Sequence, residues 1–232
     1  MLNTPFKYAV AINAVPINTV VVTTFLALLI VLMPFETVKS QNSNESTSGL
    51  FSGEPIFNIP YTHIDGVNRN LLSLDIYPAG KGNSPVMLGI HGGGWVTGDK
   101  ATKSWVGLKA RYFNQQGFIF ISVNYRLSPK DSEPNFRGAG RIRYPDQPED
   151  ISAALAWIKE HADEFGGDIN RISMMGHSAG AGMISLISTD THFFEDSGLN
   201  FDNFQCSILL DGGAYDVADK ATVAAGRSPT TN

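Results

Sequence analysis

The segment Arg171-Ile172-Ser173-Met174-Met175-Gly176-His177-Ser178-Ala179-Gly180 constrains this chain more than any other. A short apolar run with the character of a buried strand stops at Gly-His-Ser-Ala-Gly, and small apolar residues able to open a helix follow at once. The pattern predicts a strand, a very tight turn and a helix. Glycines on either side let strand and helix approach each other, and the serine between them is forced into a strained corner with its hydroxyl presented outward. Ser178 is that residue.

Upstream, Pro85-Val-Met-Leu-Gly-Ile-His91 is nearly unbroken in its apolar character, the mark of a strand covered on both faces, and His91-Gly92-Gly93-Gly94-Trp95 follows it directly. Three glycines after a buried strand expose backbone N–H groups with no Cβ in the way. The bend lacks the Gly-x-x-x-x-Gly-Lys-Ser/Thr form of a phosphate-binding P-loop. Cleaving an ester or amide through serine requires a positioned hydroxyl, a base for its proton, and donors for the oxyanion of the tetrahedral intermediate. The two motifs offer the first and the third. Ser178 supplies the hydroxyl, the Ala179 N–H opens the following helix, and Gly93 and Gly94 are the remaining candidate donors.

The rest of the chain sets these motifs in an α/β frame. Ile56 to Ile64 and Asn70 to Tyr77 alternate like strands around Asp65-Gly66 and predict an antiparallel hairpin. Ala101 to Gln116 can form a helix, Phe118 to Asn124 a second buried strand, and Tyr125 to Pro145 a long irregular loop. Pro148 suits a helical first turn. Ile151, Ala154, Leu155 and Ile158 then form one apolar stripe, closed by Gly166-Gly167. The serine-bearing helix runs to about Ser188, and Gln205 to Asp211 is the last clear strand. Strands alternating with helices imply a mostly parallel sheet with helices on both faces. The chain shows no internal repeat and no second domain.

Taken together, Ile90-His91-Gly92-Gly93-Gly94-Trp95-Val96-Thr97-Gly98-Asp99-Lys100, Ser122-Val123-Asn124-Tyr125-Arg126-Leu127-Ser128, Tyr144-Pro145-Asp146-Gln147-Pro148-Glu149-Asp150 and Gly176-His177-Ser178-Ala179-Gly180 resemble the α/β-hydrolase superfamily. Within it they are most similar to carboxylesterases with an HGGG-type loop, the hormone-sensitive-lipase-like and bacterial feruloyl-esterase-like group. The resemblance spans roughly Ile56 to Val217. It implies Ser178 as nucleophile, Gly93, Gly94 and Ala179 as oxyanion donors, no metal or other cofactor, and a small ester as substrate. It also suggests that Asp150 and Arg126 brace the loops around the serine, where a helix-end charge or a surface ion pair is the plainer alternative.

In this fold an acid and then a histidine follow the serine along the chain. Only 54 residues follow Ser178, and neither partner is recognisable among them. Asp211, ending the last strand, is the candidate acid, although its setting in Leu210-Asp211-Gly212-Gly213 also suits a residue that shapes the sheet edge. His192 is expected on a solvated loop, His177 with its ring turned from the hydroxyl, and His91 bracing the glycine bend by a hydrogen bond. His63 and His161 fall on a strand and a helix away from the corner. The expectation is therefore a partial α/β-hydrolase domain lacking the last strands, with a sheet edge left unpaired. A catalytically silent binding protein of the same fold is the alternative.

The domain is expected over residues 55–232, behind a flexible linker at 41–54 and a signal peptide or membrane anchor at 1–40. Val20 to Met33 is an apolar run after Lys7, and Val38 and Ser40 have the small-residue spacing of a signal-peptidase site, which points to a secreted or periplasmic protein. An uncleaved segment would make it membrane-anchored instead. A net charge of -5 argues against a nucleic-acid partner. The single cysteine, Cys206, cannot form an internal disulfide and reads as a small hydrophobe on a strand.

Overall fold

Val86, Leu88 and Ile90 pack into one apolar cluster while Met87, between them, packs into another, so the strand that carries them is covered on both faces. A computed structural model of the protein describes residues 9–12, 52–129 and 141–212. Its strands are β1 (Ala9–Ile12), β2 (Ile56–Pro60), β3 (Ser73–Tyr77), β4 (Ser84–Ile90), β5 (Ile119–Val123), β6 (Gly167–His177) and β7 (Phe204–Leu210). The helices are α1 (Lys103–Gln115), α2 (Asp146–His161), α3 (Ala179–Thr189) and the short α4 (His192–Asp196).

The strands form one seven-stranded sheet in the order β1-β7-β6-β4-β5-β3-β2. The β2–β3 and β3–β5 pairs are antiparallel, and β4–β5, β4–β6, β6–β7 and β1–β7 are parallel. The expected hairpin and mostly parallel sheet are thus present. Each parallel step needs a crossover, and the helices that make them lie on both faces. On one face α2, α3 and α4 bury Ile151, Leu155, Ile184 and Phe194 against Val86, Ile121, Ile172 and Met174. On the other, Trp105, Val106, Ala110 and Phe113 of α1 cover Met87, Phe120 and Met175.

Beyond β7 the described residues contain no later strand, but the expected bare edge is partly filled: Ala9–Ile12 pair in parallel with Ser207–Leu210. These four residues lie inside the stretch read as leader or anchor; the apolar run 20–33 and most of the linker 41–54 lie outside the described residues, as do 130–140 of the long loop. No helix among the described residues is long and apolar enough to cross a membrane. His192 departs from expectation, opening α4 instead of lying on a loop.

Candidate active site

Strand β6 and helix α3 meet at Ser178, whose φ of 52° and ψ of -114° lie where a non-glycine residue rarely sits. The surrounding glycines explain how the chain reaches that corner. A Cβ on Gly176 would lie 2.4 Å from the Gly180 carbonyl carbon, so no larger residue fits beneath the first turn of α3. The corner is fixed from both sides: the Ser178 N–H donates to the Leu210 carbonyl at 2.9 Å, and its own carbonyl accepts from the Gly182 N–H at 3.0 Å. Ala179 opens α3, so its N–H is among those with no acceptor inside the helix.

The glycine bend lies directly against this corner. A Cβ on Gly92 would come within 3.0 Å of the Ser178 Cβ and 2.8 Å of the His177 carbonyl oxygen. Gly93 and Gly94 follow with φ of 127° and 59°, conformations that glycine alone adopts readily. The Gly93 carbonyl turns into the loop, accepting from the amides of Val96 at 3.2 Å and Thr97 at 3.1 Å. Because N–H and C=O point in opposite directions across a trans peptide, the Gly94 N–H faces out of that turn.

His91 braces the bend as expected. Its Nδ1 lies 2.8 Å from the Gly92 carbonyl oxygen, which can only accept, so Nδ1 carries the proton. The ring stacks on Tyr125 at 4.5 Å, and the Tyr125 hydroxyl donates to the His91 carbonyl at 3.1 Å. Burial pushes the His91 pKa down, against smaller opposing pulls from the Gly92 carbonyl and Asp99, and the imidazole is neutral. Gly98 is required beneath it, since a Cβ there would lie 2.3 Å from Nδ1.

Arg126 and Asp150 form a nearly enclosed pair that ties the stretch after β5 to the start of α2. Arg126 Nε reaches the two Asp150 oxygens at 2.8 and 2.9 Å, its backbone N–H donates to Asp150 Oδ2 at 2.8 Å, and Nη2 donates to the Asp146 carbonyl at 2.8 Å. They brace a loop as the resemblance suggested; a surface ion pair they are not, with 12% and 2% of their side chains exposed.

Each of the five histidines has a partner other than Ser178. His63 pairs with Asp65 at 3.0 Å, His161 with Glu164 at 2.8 Å and His192 with Asp190 at 2.6 Å, while His91 is held as described. His177 Nε2 lies 3.7 Å from Asp211 Oδ2, and Asp211 is exposed just past β7 with φ 49°. A cleft of about 380 Å³ opens between Gly92, Gly93 and His177 on one side and Thr102, Trp105 and Lys109 on the other. It lies on the α1 side of the glycine bend, and Ser178 is not one of its walls. Among the described residues no group of three or more His, Cys, Asp or Glu is placed to hold a metal ion.

One set of residues was given no role from sequence. Asp75, Asn58, Asn70 and Asn124 gather around Lys100 at the far end of the glycine bend; Lys100 and Asn124 fall within stretches that carry the resemblance, while nothing in the sequence marked Asn58, Asn70 or Asp75.

A mostly parallel sheet, a serine at a strand-to-helix corner and a triple-glycine bend packed on it place this molecule among the α/β-hydrolases. The chain belongs to the BD-FAE family, whose model matches residues 74–211, more than half of the sequence. Over 105 residues it is 35% identical to the probable carboxylic ester hydrolase LipM of Mycobacterium tuberculosis, covering 45% of this chain and 21% of that protein. Over 160 residues it is 29% identical to Esterase B1 of Culex pipiens, covering 65% and 26%. A solved arylesterase superposes with a TM-score of 0.52 at 23% identity, over 74% of this chain and 50% of that one, which supports the fold. The alignments thus span about a fifth to a quarter of the length of these two curated relatives.

Proposed function

We propose that this chain carries the nucleophile half of a serine carboxylesterase acting on esters of modest size. The observation that carries the reading is the packing of Gly92 against Ser178, which sets the glycine bend beside a strained serine corner. In the proposed reaction Ser178 Oγ attacks the ester carbonyl carbon and its proton passes to a base. The carbonyl oxygen, now anionic, accepts from the amides of Gly93, Gly94 and Ala179. As the intermediate collapses the base returns that proton to the departing oxygen, so the alcohol leaves and an acyl group stays on Ser178; water then attacks the acyl carbon, giving the carboxylic acid and the free serine. One donor of this kind is typically worth a hundredfold to a thousandfold, roughly, in turnover. Asp211 is the proposed acid, and no histidine is assigned as the base.

A second reading is favoured by a specific observation: each histidine has a partner other than Ser178. A serine without its base retains binding and oxyanion stabilisation, roughly 10³ to 10⁴ over water, and such a chain would act as a binder of esters. A fluorophosphonate probe on the purified chain separates the two, with Ser178→Ala as control. Labelling that disappears in the variant supports the esterase, and a well-folded chain that takes no label supports the binder. We also propose export through residues 1–40, tested by N-terminal sequencing of the protein recovered outside the cytoplasm.

A further inference from the structure

We propose that Lys100 is the positioning residue that fixes the far end of the glycine bend, through a buried ammonium clamped by Asp75, Asn58 and Asn70. The inference rests on the reading that the Gly93 and Gly94 amides serve the reaction. The bend leaves β4 at His91, which the stacking on Tyr125 holds; its other end reaches Lys100. There the side chain is 1% exposed and its Asp75 partner 2%. The three ammonium protons meet three acceptors, Asp75 Oδ1 at 3.2 Å, Asn58 Oδ1 at 2.8 Å and Asn70 Oδ1 at 3.1 Å. Its backbone is held as well. The Lys100 N–H donates to Asn124 Oδ1 at 2.6 Å, and its carbonyl accepts from Ser122 Oγ at 2.8 Å, which in turn accepts from Trp105 Nε1 at 3.1 Å. The neighbouring Asp99 accepts from Asn70 Nδ2 at 2.7 Å and Asn124 Nδ2 at 3.1 Å. Asn58 donates its N–H to Asp75 at 2.8 Å from a left-handed conformation of φ 58°.

Burying two charges costs several kcal/mol in lost hydration, and an apolar pair of like volume usually serves stability as well. What the ion pair adds is a fixed point. Strands β2, β3 and β5, the turn before β3 and Asn124 just past β5 all contribute a group to one residue, and that residue ends the loop whose Gly92 packs on Ser178. A loop tied at both ends holds its N–H groups in place before an oxyanion forms, which is what electrostatic preorganisation requires.

The test compares the full chain with the double variant Asp75→Asn/Lys100→Met, which avoids stranding a lone charge. Hydrogen exchange is followed over residues 92–98, together with the concentration dependence of fluorophosphonate labelling. In a variant that still unfolds cooperatively, exchange at Val96 and Thr97 should quicken by at least about tenfold, reporting local opening rather than global loss. The labelling defect should fall on the maximal inactivation rate and not on half-saturation. Unchanged exchange in a folded variant overturns the inference. If the wild-type chain takes no label, the esterase reading fails and the exchange comparison still decides the anchor. If the double variant does not fold, Asn58→Gly, which suits the φ of that position and removes one acceptor, is expected to give the same local quickening; its absence overturns the proposal.

Discussion

Gly180 packs on Ile90 so closely that a Cβ would lie 2.3 Å from the Ile90 carbonyl oxygen. The first turn of α3 therefore rests on the last residue of β4, and the serine corner and glycine bend spring from points in direct contact. Gly180→Ala should force backbone apart and cost about 1–3 kcal/mol, the range for overpacking a tight interior. Urea unfolding measures it, and an unchanged midpoint would contradict the contact.

Ser178 is held in a conformation that costs a non-glycine residue on the order of 1–3 kcal/mol. Ser178→Gly is expected to be more stable than Ser178→Ala by about 1 kcal/mol, since glycine relieves the strain that alanine retains. Paired denaturation curves give the difference. A glycine variant no more stable than the alanine variant would mean that the corner is relaxed.

The lowered pKa of His91 makes stability depend on pH in a definite direction. Between its folded value and the ordinary value of 6.5, the unfolded chain binds a proton that the native chain does not. Stability is thus full above pH 6.5 and falls as acid is added, levelling off only beneath the folded value. His91→Asn should flatten that part of the profile, whatever it costs overall. Parallel slopes for variant and wild type would show that another group is responsible.

Arg126→Lys replaces a planar fork with a point charge, and lysine cannot serve both Asp150 oxygens and the Asp146 carbonyl together. The expected loss is about 1.5–3 kcal/mol, the scale of hydrogen bonds to charged groups. It would appear as a lower denaturant midpoint, and a shift of a few tenths would show that the bracing is dispensable.

What the sequence revealed and what it hid divide along chain separation. The serine corner and the glycine bend are written in consecutive residues, because close backbone approach and left-handed φ values leave glycines behind. The unbroken apolar run through Val86, Met87 and Leu88 likewise announced a strand buried on both faces. The clamp on Lys100 joins partners 25, 30 and 42 positions away through Asp75, Asn70 and Asn58, so no local pattern marks it. Strand β6 starts at Gly167 instead of the apolar Ile172 because Gly167 and Asp168 pair with Ser84 and Pro85 at the start of β4. Helix α4 was hidden by its length: with five residues it shows no period and is held by burial of Phe193 and Phe194.

The Ser178 amide hangs from the carbonyl of Leu210, the final residue of β7, whose outer flank among the described residues is joined only by four residue pairs of β1. The serine's placement is inherited from a strand whose outer neighbour is a four-residue edge strand, so in a chain that retains residues 9–12 a tag, surface tether or fusion partner that tugs on them acts on the serine corner two steps away. Immobilisation through the outer side of α1, where Leu108 is 81% exposed, would instead load the helix that covers Met87, Phe120 and Met175.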